Sequence, residues 1–316
     1  MKEVKIKKNI FIAVFMVLLI GGGVIFTSAN LLNDFANKLT GTGKATSGSA
    51  NVNVQVGNSA PSIFLVQFSP VINPNENNYR IAYISFQAED MNGIINLNFS
   101  SAKIIVSKSG DVTKTSSCVN VNNITSKIAN FSCSVNLWYF ETAGNDWNIN
   151  VSISDLVNLP LIGTKENSSN SFTYSELTAM VFAPLSMNWS AIEVTDVDTL
   201  STSNPMLINN TGNDNITLGN IKMNATDLEG EDFAGEYIYA GNFTINVANS
   251  CNTGTFMNNG VTLNITNAQL SKGNHSINDG STGQEQLYFC LEAINDDISA
   301  QTYSTTAGGP WTLSVQ

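Results

Sequence analysis

The stretch RIAYISFQA (residues 80–88) sets Ala82, Ile84, Phe86 and Ala88 two positions apart, with Tyr83, Ser85 and Gln87 between them. A side-chain period of two belongs to an extended strand with one buried face, because successive side chains on a strand point to opposite sides. This strand runs into Asp90 and Gly93, and the phrase ISFQAEDMNG (84–93) returns loosely as IKMNATDLEG (221–230). Neighbouring segments read the same way. IINLNF (94–99) and AKIIVS (102–107) are short apolar runs separated by small residues. NFSCSVNLWYF (130–140) meets WNINVSIS (147–154) across ETAGND (141–146), which predicts a hairpin with Trp147 and Ile149 turned inward. NFTINVAN (242–249), VTLNIT (261–266), QLYFCLEA (286–293) and WTLSV (311–315) have comparable character. Helix is expected only near the N-terminus and around YSELTAM (174–180).

Two further phrases recur. TAGNDWNINV (142–151) returns as TAGGPWTLSV (306–315), and SPVINPNENN (69–78) echoes NPMLINNTGNDN (204–215). Echoes in one order predict a duplicated domain with a divergent interior. Short strands and frequent Asn/Gly turns make the expected fold all-β: two tandem Ig-like antiparallel β-sandwiches, at 59–183 and 184–316. Ahead of them stand a hydrophobic helix within 1–29 and an amphipathic helix with a flexible stalk over 30–58.

The N-terminus carries Lys2, Lys5, Lys7 and Lys8, then an unbroken apolar run from Ile10 to Phe26, then the small residues Thr27, Ser28 and Ala29. Those parts fit an export signal, and the run is also just long enough for a membrane anchor. Both readings place the remainder outside the membrane. Leu32, Phe35, Ala36 and Leu39 follow at helical spacing, as in a helix lying on a surface. In the stalk, NVNVQV (51–56) alternates Val52, Val54 and Val56. Such a segment suits either the first strand of its own domain or a strand donated to a neighbouring subunit.

Charged residues make up only 12% of the chain, with 44 Asn, 33 Ser and 27 Thr in their place, and the formal net charge is −11. No Lys/Arg cluster follows residue 8, which excludes nucleic-acid binding through phosphate neutralisation. Four cysteines allow three pairings, and the economical arrangement joins Cys118 to Cys133 and Cys251 to Cys290, one bond per half. Zinc is the alternative, but there is no CxxC pair, and His275 is the single histidine.

Candidate sites are few. Asp90 and Asp227, with Glu89, Glu229, Glu231 and Asp232 nearby, could gather oxygens around calcium. The plainer reading is a strand end, where Asp closes a turn and Gly takes positive φ. No nucleophile elbow accompanies His275, and Glu292, Asp296 and Asp297 are merely close in sequence. No catalytic residue and no cofactor are expected. Twelve glycosylation sequons occur, at Asn98, Asn123, Asn130, Asn150, Asn167, Asn188, Asn209, Asn215, Asn224, Asn242, Asn264 and Asn274.

The strands ending in A-x-D-x-x-G, the turn NNTGN (209–213) and the closing run ISAQTYSTTAGGPWTLSV (298–315) resemble archaeal exported surface proteins built from tandem Ig-like modules. The second half is similar to CARDB-type domains. The resemblance spans roughly residues 60–316, rests on short motifs and carries over no catalytic residues. It implies a non-enzymatic structural or adhesive role on the cell envelope. Expected partners are the membrane, if the N-terminal helix stays uncleaved, and other envelope proteins or glycans. The alternative is a filament subunit joined by strand donation from residues 51–56.

Overall fold

The computed structural model describes residues 49–156, 162–165 and 170–316. The run at 1–29, the amphipathic stretch that follows it and Asn167 lie outside the described residues. The chain divides into two units, Met1–Val56 and Gly57–Gln316. In the first, residues 49–56 form neither helix nor strand, and Val52, Val54 and Val56 are 79–80% exposed. NVNVQV is therefore not the first strand of its own domain, as one reading held. That place belongs to β1 (Ser62–Phe68).

In the second unit the period-two pattern builds two antiparallel β-sandwiches in tandem. One sheet of the first sandwich has the order β1, β3 (Tyr79–Glu89), β7 (Ile128–Trp138), β6 (Val119–Asn123). Facing it are β2 (Val71–Ile72), β10 (Ser171–Tyr174), β8 (Gly144–Asp155), β4 (Leu97–Ser107) and β5 (Lys114–Ser117), with β9 (Ile162–Lys165) also on β8. Pairing is antiparallel except for β2, which runs parallel to β10. Ala82, Ile84, Phe86 and Ala88 are at most 2% exposed, and Phe86 stacks on Phe131 at 5.0 Å.

Trp147 and Ile149 do face inward. The expected hairpin of β7 with β8 does not form, because the two strands belong to opposite sheets and residues 139–143 carry the chain across the sandwich. Val135 and Leu137 on β7 also point into the core. Two inward faces therefore confront each other instead of lying side by side. Alternation specifies which face is buried but not which sheet holds the strand. YSELTAM is likewise no helix: it is the end of β10, an extended linker and the start of β11 (Met180–Ala183).

In the second sandwich one sheet runs β11, β13 (Met206–Asn210), β20 (Gln284–Ala293), β17 (Phe243–Asn246), β18 (Thr255–Phe256), with β12 (Val197–Leu200) also on β20. β11 precedes the boundary expected at 183/184 yet pairs with β13. Across a shared core lie β19 (Thr262–Asn264), β14 (Ile221–Asn224) and β22 (Thr312–Val315). A small third sheet contains β16 (Tyr237–Ile238), β15 (Leu228–Gly230) and β21 (Tyr303–Ser304). Cys118 is bonded to Cys133, and Cys251 to Cys290, one disulfide in each sandwich.

The topologies correspond strand by strand in part: β1-β3-β7 with β11-β13-β20, and β5-β4-β8 with β19-β14-β22. The TAG-x-x-W echo falls on corresponding strands, β8 and β22. The other two echoes do not. ISFQAED lies on β3 while IKMN lies on β14, the counterpart of β4, and residues 69–78 precede β3 while 204–215 span β13. The second true correspondence is Phe68-Ser69-Pro70 with Phe182-Ala183-Pro184, ending β1 and β11.

Candidate functional site

The difference between the sandwiches lies beside β8 and β22. Both edges of β8 are occupied, by β4 and by β10. β10 sets Phe172 and Tyr174 against Trp147, with ring centroids 6.0 and 6.2 Å away, and all three side chains are at most 1% exposed. β22 pairs with β14 along one edge, and no described strand pairs with the other. Trp311, Leu313 and Val315 are accordingly only half-buried.

Next to that edge is a cavity of about 850 Å³, lined chiefly by Phe182, Met187, Trp189, Met223, Trp311 and Leu313. Residues 184–196, without helix or strand, border it. They are held by Trp189, which packs against Phe243 at 5.0 Å and donates its indole N–H to the Thr199 carbonyl at 3.0 Å. The Asn188 carbonyl accepts from the Thr202 N–H and the Ser201 hydroxyl, both at 2.8 Å. On another side, Glu236 fastens residues 299–303 by accepting from the Ser299 N–H, the Ser299 hydroxyl and the Tyr303 hydroxyl. Those donors hold its carboxyl below the usual range. Apolar side chains such as Met187, Trp189, Met223 and Leu313 share the lining with polar ones such as Glu193, Ser299, Gln301 and Thr302, so the groove suits an extended guest that alternates apolar and polar side chains.

The carboxylates do not converge on this groove. Asp90, fully buried after β3, accepts the Asn92 N–H at 2.7 Å, and Gly93 adopts φ +108°, as the turn reading requires. Asp227 is spent differently, on the Ala240 N–H at 2.7 Å and the Asn259 amide at 2.8 Å. Gly230 lies in β15 without positive φ, pressed against Gln301. Asp90 and Asp227 thus sit in separate sandwiches with different roles, and no metal-holding cluster of three or more His, Cys, Asp or Glu occurs among the described residues. Glu292 neighbours Asp198 rather than Asp296 or Asp297. Burial first, and the Asp198 carboxylate after it, push its pKa up.

His275 is not simply a surface loop residue. It sits at the junction of the sandwiches, its Nε2 2.8 Å from Asn77 Oδ1 and its ring 5.7 Å from that of Tyr139. Around it the Thr211 hydroxyl donates to Glu76 at 2.8 Å, the Asn77 N–H to the Thr211 carbonyl at 2.9 Å, and Asn213 Nδ2 to the Ser175 carbonyl at 2.9 Å. Lys272 reaches Thr142 across the same boundary. Burial holds the imidazole below its ordinary 6.5.

The folded state therefore favours neutral His275, and the unfolded chain takes up the proton first as pH falls. Stability present above about pH 6.5 is lost as pH drops through the lower folded value. The single histidine resonance in a proton NMR titration should show a midpoint below 6.5. His275→Gln should flatten the fall in Tm between about pH 7 and pH 5.5. A midpoint at or above 6.5 would contradict this account.

No protein-family model matches this chain, and no curated protein matches it.

Proposed function

We propose that the protein is an extracellular structural or adhesive component of a cell envelope, of the kind its closing motifs resemble, and that it is not an enzyme. The observation carrying this is the disulfide in each of two tandem β-sandwiches, a usage that belongs to oxidising compartments. The hydrogen-bonded junction adds to it, since coupled modules transmit position. Among the described residues no helix is long and apolar enough to cross a membrane. Attachment or export is assigned to residues 1–29.

Several sequons would carry glycan. Asn123, Asn215 and Asn264 are exposed, whereas Asn242 commits its amide to the Ala293 carbonyl at 2.8 Å. Non-reducing intact mass of the native protein, taken from membrane and medium fractions, tests this reading. The expected species has no free thiol and added glycan mass, in the membrane fraction with residues 1–29 or in the medium without them. A reduced protein confined to the cell interior would end it.

The exposure of Val52, Val54 and Val56 favours a second reading, a filament subunit joined by strand donation. Deleting residues 51–56 should then abolish polymers while leaving the Tm of the sandwiches unchanged. Polymers that persist in the deletion would count against it.

A further inference from the structure

We infer that the open edge of β22 and its adjoining groove accept residues 51–56 of a second copy of this chain, an inference that rests on the strand-donation reading. The first sandwich supplies the template. There β10 lies antiparallel to β8, Phe172 opposite Trp147, and its alternate side chains Phe172 and Tyr174 seal that tryptophan. The corresponding place beside β22 holds no described strand, and Trp311 is half-buried there. NVNVQV presents Val52, Val54 and Val56 at the same spacing of two, uncharged and unpaired. Antiparallel to β22, its valines would cover Trp311 and Leu313.

The backbone of β22 is set for this. Gln316 donates its N–H to the Asn220 carbonyl at 3.1 Å, so 316 and 220 form a hydrogen-bonded pair. Pairs alternate along an antiparallel ladder. With Val315 opposite Ile221 and Leu313 opposite Met223, these residues turn their N–H and C=O groups away from β14. The free edge thus offers the donors and acceptors of Leu313 and Val315 while their side chains face the core.

Chain length argues for a second copy over the same one. Asn58 is held by Asp155 at 2.5 Å and Ser59 by Asn92 at 2.9 Å, at the end of the first sandwich where β3 and β8 finish. The junction with the second sandwich lies at the opposite end, where β3 starts and β7 finishes. β3 has 11 residues, so these ends are about 35 Å apart. From Asn58, six residues back to Val52 reach at most about 21 Å. The chain's own valines fall short of its own groove.

The test uses the full-length chain in detergent with residues 51–56 deleted, and a fluorescent peptide of residues 49–58 followed by anisotropy. Saturable binding is expected, weakened at least about tenfold by Val315→Pro, which removes one outward N–H and leaves the β14 ladder intact. Val54→Asp in the peptide should weaken it equally, with no demand on the folding of the acceptor. As a position check, peptide carrying Val54→Cys should form a disulfide with chains carrying Leu313→Cys. Undiminished binding to Val315→Pro, with cross-links absent, would overturn the assignment of β22 while strand donation stood. No peptide binding, together with identical oligomeric states for the intact and deleted chains, would remove strand donation itself.

Discussion

Replacing Cys251 and Cys290 with serine lowers the unfolding free energy by about 4 kcal/mol, the larger of the effects expected from the two disulfides. The bond closes a loop of 39 residues, and removing it restores that freedom to the unfolded chain. The Cys118–Cys133 bond closes 15 residues, for which the same relation gives about 3 kcal/mol. Location adds to the first figure. Cys290 is 2% exposed on β20, the strand that pairs with β12, β13 and β17, so a serine hydroxyl there must find a partner in the core. Urea unfolding of the two double-serine variants against the parent measures both. A loss below about 1 kcal/mol at 251/290 would mean that the unfolded chain is already compact over that segment.

Trp147→Ala is expected to cost about 3–5 kcal/mol, and Trp311→Ala distinctly less. The two residues hold corresponding positions, so the comparison isolates the effect of a neighbouring strand. Trp147 is wholly buried beneath Phe172 and Tyr174, and its indole N–H satisfies the Thr142 carbonyl at 2.9 Å. Its loss leaves a large cavity and an unpaired carbonyl. Trp311 makes a similar bond, to the Thr226 carbonyl at 2.8 Å, but is half-buried and borders a cavity already present. Equal costs at the two sites would show that the gap beside β22 is energetically closed.

The period of two at 82–88 located a core face correctly because burial of alternate residues is a local property of a strand. The sheet to which a strand belongs is not local, and β7 and β8 were separable only by the packing that puts them in different sheets around one core. The echo around Trp147 and Trp311 survived because each indole donates its N–H to a backbone carbonyl, Thr142 in one case and Thr226 in the other, which constrains the surrounding chain. The Asp90 and Asp227 phrases resemble each other because strand ends draw on the same few residues, whatever strand they end. His275 was invisible as a junction residue, since its partner Asn77 lies 198 positions away. The open edge of β22 left no mark in the sequence, where the alternation of Val52, Val54 and Val56 suited a strand of their own domain as well as one donated to a neighbour.

The placement of the first sandwich's two attachments has a mechanical consequence. Its chain enters at Ser62, at one end, and leaves at Tyr174, at the other, on strands whose neighbours bind them along their length. Tension between these points pulls β1 along β3, and β2 along β10, where the Thr173 and Ser175 N–H groups donate to the Pro70 and Ile72 carbonyls. Hydrogen bonds lying across the pull share the force and fail together, whereas bonds peeled from one end fail in turn. The module resists stretching by shear.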